Sequence, residues 1–241
     1  MQLAIETSSL VSSVALGDSK KLWGELTVQA GLTHSEQLVP HIDMLLSACG
    51  KGKKDLTSIS VSIGPGSFTG LRIGLATAKM MAFALQIPIV GVSTMEVLAY
   101  QSMYADRLLA VHVDAVKKGV YEGLYRFSGK KLEVVQEPTI LLQEEALAKL
   151  IERQEKVLFL GDGAVLGENR IVLAQEGADL KAEDFCLAPP ALHIPRAAAL
   201  LEAAKDRTER GLFDDVVTLV PFYMRKSEAE VLWEKRHGGH A

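Results

Sequence analysis

In this 241-residue chain the stretch Ser60–Gly74, SVSIGPGSFTGLRIG, comes nearest to a chemical motif. Glycines between a strand and a helix are a common cradle for phosphate, because backbone N–H groups converge there and the helix N-terminus favours an anion. The spacing argues against it. A P-loop needs G-x-x-x-x-G-K-[ST], whereas five residues separate Gly64 from Gly70 and Leu71 follows. The dinucleotide pattern G-x-G-x-x-G breaks at Thr69. A structural turn is the better reading: Gly64-Pro65-Gly66 reverses the chain, and Ser67 or Thr69 caps the incoming helix. Small residues recur every four positions at Gly66, Gly70, Gly74, Ala78 and Ala82. Such a ridge lets a second backbone approach one side of the helix.

Other chemistry is sparse. Two cysteines, Cys49 and Cys186, form neither a disulfide framework nor a C-x-x-C metal pair, and are expected to be reduced thiols. No Ser-His-Asp triad can be assigned from spacing. The balance of 26 basic and 30 acidic side chains gives a net charge of −4, with no overall basic footprint for a stand-alone nucleic-acid binder. An apolar fraction of 48% is ample for a packed core. MQLAIETSS has no basic n-region and reaches Glu6 early, unlike a secretory signal. The most apolar run, Leu71 to Val92, is interrupted by Arg72, Lys79, Gln86 and Pro88, which a membrane span disfavours. The expectation is a cytoplasmic protein with no membrane partner.

The elements that must position these residues follow a repeating order. Leu3–Glu6, Val11–Leu16 and Leu22–Val28 read as a meander. Thr33 with Glu36 is a capping box opening a helix whose apolar stripe is Leu38, Ile42, Leu45 and Cys49, with Pro40 inside it. Then come a strand at Ser58–Ile63, a helix from about Thr69 to Gln86, a strand at Ile87–Val92 and, behind a Ser93/Glu96 capping box, a helix to about Tyr104. Strands at Arg107–Asp114, Val120–Phe127 and Lys131–Gln136 start the order again. A helix at Gln143–Arg153, a strand at Val157–Leu160 and an Ala-rich helix at Ala191–Arg210 complete it, with 163–190 obscured by turn residues. Two βββαβαβα-like units in tandem predict an α/β fold of the duplicated actin-like ATPase (ribonuclease H-like) type. Two subdomains, 1–105 and 106–241, would each carry a mixed sheet with helices around a shared cleft.

AIETSSLVSSVAL, HSEQLVPHID, SIGPGSFTGLRIGLATAKMMA and the late PFYMR (Pro221–Arg225) together resemble the TsaB (YeaZ) family. That resemblance implies an accessory subunit in bacterial synthesis of threonylcarbamoyladenosine beside the tRNA anticodon. It also implies the duplicated actin-like fold, a metal-bearing TsaD-like transferase as catalytic partner and a TsaE-like ATPase in the assembly. ATP and the metal belong to those partners, so no cofactor of its own is expected, and tRNA is met only through the complex. The chain alone is expected to be a homodimer.

TsaD-like proteins hold metal with H-x-x-x-H on a helix. Here His34 and His41 are seven residues apart, two turns or roughly 10.5 Å along the axis, too far to share one ion. An actin-like cleft needs an acid with a hydroxyl-rich turn by the first strands and a Gly-rich loop in the second half. Glu6-Thr7-Ser8-Ser9 and Gly161-Asp162-Gly163-Ala164 occupy those places. Thr7, Ser8, Gly161, Asp162 and Gly163 are therefore vestigial nucleotide candidates, with an autonomous ATPase or small-molecule kinase as the alternative function. A second turn at Asp114–Tyr121 departs from the family's D-A-R…G-E-V-Y at Val116 and Gly119.

A partner subunit works through its surfaces. On a 100° wheel Arg72, Ala76, Lys79, Phe83 and Gln86 share a stripe flanked by Leu75 and Met80, while Gly74, Ala78, Met81 and Leu85 turn to the sheet. A phenylalanine amid long polar side chains either tucks under a loop or centres an interface. His34, Gln37, His41, Met44 and Leu45 form the adjacent strip on the neighbouring helix. The last segment, SEAEVLWEKRHGGHA, reads as a short helix and a locally basic, solvated tail, with contact to tRNA phosphates the weaker reading.

Overall fold

The computed structural model describes residues 1–29, 34–115, 119–178, 181 and 183–225, and in α1 nothing of the His34 side chain. Thr33, Val116–Lys118 and the segment from Lys226 onward, on which several expectations fall, lie outside the described residues.

The first sheet comprises β1 (Gln2–Glu6), β2 (Val11–Gly17), β3 (Leu22–Gln29), β4 (Ser58–Gly64) and β5 (Ile89–Ser93), in the order β3-β2-β1-β4-β5. The second comprises β6 (Leu108–Asp114), β7 (Gly119–Ser128), β8 (Lys131–Leu142), β9 (Val157–Leu160) and β10 (Phe185–Leu187), in the order β10-β9-β6-β7-β8. Read from its other edge, the second sheet repeats the path of the first. In both, the opening three strands are antiparallel neighbours, and the last two join parallel beside the first. The fold is the duplicated mixed α/β arrangement expected from the element order.

Residues in register share a face of the sheet. Leu3 and Ile5 therefore align with Ile59 and Val61 in one core, against α1 (His34–Ala48) and α2 (Phe68–Leu85). Ala4 and Glu6 lie on the opposite face with Ser60 and Val90. That face is covered by α7 (Ala197–Glu209), whose Leu200, Ala203 and Ala204 meet Ala4, Ala15, Val90 and Val92. Two sheet side chains cap α7: the Ala197 N–H donates to Ser13 Oγ at 3.0 Å and the Ala198 N–H to Glu25 Oε1 at 2.9 Å. Between the sheets, α3 (Thr94–Tyr100) sends Val97 to the α7 layer and Met95 and Leu98 to the second core. The second sheet's outer layer is α4 (Gln143–Glu152), α5 (Asp162–Leu166) and α6 (Glu168–Gly177). The layers thus cross the 105/106 boundary: α7 follows the second sheet in sequence yet packs on the first.

Several boundaries differ from the sequence reading. α7 begins at Ala197 rather than Ala191, because Pro195 lacks an N–H and holds Ile194 out of the helical region. α3 closes at Tyr100 instead of Tyr104, where the Gln101 and Ser102 N–H groups bond back only three residues, to Leu98 and Ala99. β8 runs on to Leu142 instead of stopping at Gln136. Its register slips between Gln136 and Thr139, a bulge that accommodates Pro138 on this edge strand. Residues 163–190 contain most of α5, all of α6 and β10.

By length and composition alone α2 could cross a membrane, but Leu71, Gly74, Leu75, Ala78 and Ala82 are buried in the protein.

Candidate functional site

The carboxyl ends of the parallel strands in both sheets open onto one cleft of about 1510 Å³, the place where α/β sheets usually hold ligands. Its near wall includes Ser8, Leu10, Phe68 and Thr94; its far wall includes Asp162 and Leu166.

On the near side the small-residue ridge of α2 backs the turn after β1. A Cβ on Gly66 would fall inside the Ser8 carbonyl oxygen, one on Gly70 inside the Thr7 carbonyl oxygen, and one on Gly74 inside the Thr7 hydroxyl. Hydrogen bonds lock the contact: Ser67 N–H donates to Ser8 O at 2.6 Å, and Thr7 Oγ1 donates to Gly70 O at 2.8 Å. Ser67, rather than Thr69, caps α2 by accepting from the Gly70 N–H at 3.2 Å. The motif that looked most like a phosphate cradle spends these groups on its own chain. Glu6, the acid at the end of β1, is fully buried and accepts the Ser8 N–H at 2.7 Å. Its removal from water pushes its carboxyl above the ordinary carboxylate range, against the opposing pull of its bonds with Ser8.

The far side repeats this construction. Gly161 (φ +91°) lies so close to the His112 carbonyl that a Cβ would not fit, and Gly163 abuts the Val113–Asp114 backbone. Asp162 Oδ1 accepts the Asp114 N–H at 3.0 Å, and burial raises its carboxyl above the usual range. Of the vestigial nucleotide candidates, Thr7, Gly161 and Gly163 serve packing, and Ser8 and Asp162 line the cleft. Ser8 and Thr94 are each 2% exposed, Ser8 beside the Glu6 carboxyl that its N–H bonds. Among the described residues no cluster of three or more His, Cys, Asp or Glu is placed to hold a metal ion.

PFYMR, noticed in the sequence only as a point of resemblance, turns out to be a strap across this cleft. The Phe222 N–H donates to Ile63 O at 2.7 Å, at the end of β4. Tyr223 stacks on Phe68 with ring centroids 4.6 Å apart. Met224 packs into the second core, and the Arg225 guanidinium donates to Ala115 O just past β6. The strap therefore ties one sheet to the other. Upstream, Asp214 bridges to Ile89 and its carboxylate accepts the Gly91 N–H at 2.7 Å, covering the free edge of β5.

This same segment corrects the expected partner strip. Arg72 lies over the Phe68 ring at 3.8 Å and donates from Nε to Tyr223 Oη at 2.9 Å. Lys79 Nζ donates to the carbonyls of Val217 and Leu219, each at 2.9 Å. Both cations are engaged by their own chain. Leu45 and Leu75, at 6% and 4% exposure, belong to the core and not to the surface. Gln37 and His41 are half-buried, His41 Nδ1 lying 3.2 Å from Ser12 Oγ. What stays open is apolar: Met44 (59%), Met80 (68%) and Phe83 (70%), beside Ala76, with no loop over Phe83 among the described residues.

A family model described as TsaD, tRNA N6-adenosine threonylcarbamoyltransferase, matches residues 28–233. A Bacillus subtilis (strain 168) tRNA threonylcarbamoyladenosine biosynthesis protein TsaB is 35% identical over 233 residues, covering 96% of each chain. The Escherichia coli (strain K12) TsaB is 32% identical over 153 residues, covering 58% of this chain and 63% of its own. The solved structure of YeaZ from Pseudomonas aeruginosa superposes with a TM-score of 0.76 at 24% identity, over 92% of this chain and 99% of that one, which is a likeness of fold.

Proposed function

The chain belongs to the TsaB family of tRNA threonylcarbamoyladenosine biosynthesis proteins, and from that premise we propose that it acts as a non-catalytic partner of a TsaD-type transferase. Its contribution would be to hold the transferase in a working assembly that forms the modification beside the anticodon, with a TsaE-type ATPase joining and tRNA bound through the complex. ATP and metal chemistry fall to those partners. Alone, the chain would pair with itself.

One observation carries the reading. Thr7 and Ser67, the hydroxyls nearest the glycine motif, are spent on their own chain, while Met80 and Phe83 stand open on α2 among the described residues. An exposed aromatic beside methionine, with polar residues around it, is the composition of an interface centre rather than of a solvated helix. Cleft geometry points the same way, because the glycines of both halves are filled by backbone from the neighbouring strand ends. The apolar share of the composition then has two uses: a packed interior, and a surface for a partner.

The test is reconstitution of tRNA modification from TsaD- and TsaE-type subunits with and without this chain. Modification that depends on the chain, with no turnover of Mg-ATP by the chain alone, is the expected result. Equal modification in its absence overturns the proposal.

A further inference from the structure

Five large side chains that line the cleft remain open to solvent: Leu10 (54% exposed), Val165 (44%), Leu166 (74%), Phe222 (46%) and Tyr223 (39%). Large apolar side chains left open around one cleft mark a surface that something covers. The cleft, at about 1510 Å³, exceeds the roughly 300–1,000 Å³ of ordinary small-molecule pockets.

The cleft already accepts one peptide. Residues 221–225 cross it, bonded by backbone to Ile63 and by side chain to Ala115, with Met224 seated in the second core. Arg225 lies in the cleft's lining, and the chain continues from it for 16 residues, KSEAEVLWEKRHGGHA. Val231 stands six residues beyond Arg225, a reach of up to about 20 Å in an extended chain. The order of its side chains suits the walls. The apolar Val231-Leu232-Trp233 is followed after one residue by Lys235 and Arg236, and the cleft sets Val165 and Leu166 beside the carboxylates of Asp162 and Glu168.

We propose that residues 226–241 dock along this cleft, seating Val231, Leu232 and Trp233 between Leu10 on the near wall and Val165 and Leu166 on the far wall, with Lys235 and Arg236 toward Asp162 and Glu168. The occupant is the chain's own segment, and the inference is independent of the transferase partnership.

Trp23 and Trp233 are the only tryptophans in the chain, so Trp23→Phe leaves Trp233 as the sole reporter. In the full chain, its emission should be blue-shifted from that of the isolated 226–241 peptide, and quenching by acrylamide reduced several-fold. Adding Leu166→Glu, at an exposed position that does not disturb the core, should return both signals to those of the free peptide while the melting transition persists. A chain ending at Arg225 should bind the 226–241 peptide in trans, and Leu166→Glu should abolish that binding. Peptide-like emission in the full chain overturns the proposal. So does a blue shift indifferent to Leu166→Glu, which places the segment elsewhere. A shift that grows with protein concentration overturns it in favour of a neighbouring copy.

Discussion

Gly70 sits directly against Thr7: the Thr7 hydroxyl donates to the Gly70 carbonyl at 2.8 Å, and a side chain at Gly70 would occupy the space of the Thr7 carbonyl oxygen. The glycines of this motif are there for the strand beside them. Gly70→Ala must push α2 away from the β1 turn, and overpacking of this kind costs about 1–3 kcal/mol. Urea unfolding should show a lower midpoint at unchanged slope. Gly177→Ala, where a Cβ meets nothing within 4 Å, is the matched control and should leave the midpoint the same or higher.

Phe83→Glu places a charge on the exposed centre of the α2 surface. Because Phe83 is 70% exposed, the variant should fold with stability within about 0.5 kcal/mol of the parent. Its affinity for a TsaD-type subunit should fall by about 2 kcal/mol or more, roughly 30-fold, as expected of a central aromatic. Titration calorimetry against the purified transferase measures it; wild-type affinity in this variant would remove α2 from the interface.

Buried Glu6 makes stability depend on pH. Its folded carboxyl titrates above the ordinary value of 4.5, so the folded state holds the proton more tightly than the unfolded chain. The stabilisation from the protonated acid is complete below about pH 4.5 and declines as pH rises through the folded titration. Glu6→Gln keeps an acceptor for the Ser8 N–H and carries no proton to lose. The variant should match the parent in acid and exceed it at neutral pH, with a flatter profile of denaturant midpoint against pH. Glu96, also raised by burial, keeps a contribution of the same sign in the variant, opposed by Asp18 and Asp215, whose carboxyls are lowered by hydrogen bonds.

Arg72→Ala removes both the donor to Tyr223 and the cation over Phe68. The strap should then open more often while the sheets stay intact. Hydrogen exchange at the Phe222 amide should quicken, with amides of β1 and β4 unaffected. Cation–π and hydrogen-bond losses at such partly exposed positions amount to about 0.5–2 kcal/mol, so exchange at that amide should rise about 2- to 30-fold.

How much of this could be read from residues alone depended on the range of the interaction. The ridge Gly66-Gly70-Gly74 was legible because its period is local, and its meaning as a backbone contact holds in the structure. Element order was legible because buried strands and helices print their periods in adjacent residues. The intrachain bonds of Arg72 and Lys79 were not legible for the opposite reason: their partners lie 151 and 138–140 residues away. Leu75 flanks its stripe, and Leu45 reads both as part of the apolar stripe of α1 and as part of the open strip; the packing of α1 and α2 on one sheet puts both in the core. The strap was visible as PFYMR, but nothing within five residues says that they span two sheets.

The exchange of layers between the halves has a consequence for how the protein is made. The first sheet emerges from the ribosome by Ser93, yet the helix that covers its Ala4–Val90 face and is capped by Ser13 and Glu25 ends only at Glu209. More than a hundred residues must be synthesised while that face waits. At elongation rates of about 5–20 residues per second, the wait is several seconds or longer. The small and polar side chains on that face, Ser13, Ser60 and Ser62 among alanines and valines, make it a poor surface for strangers to stick to while it stands bare.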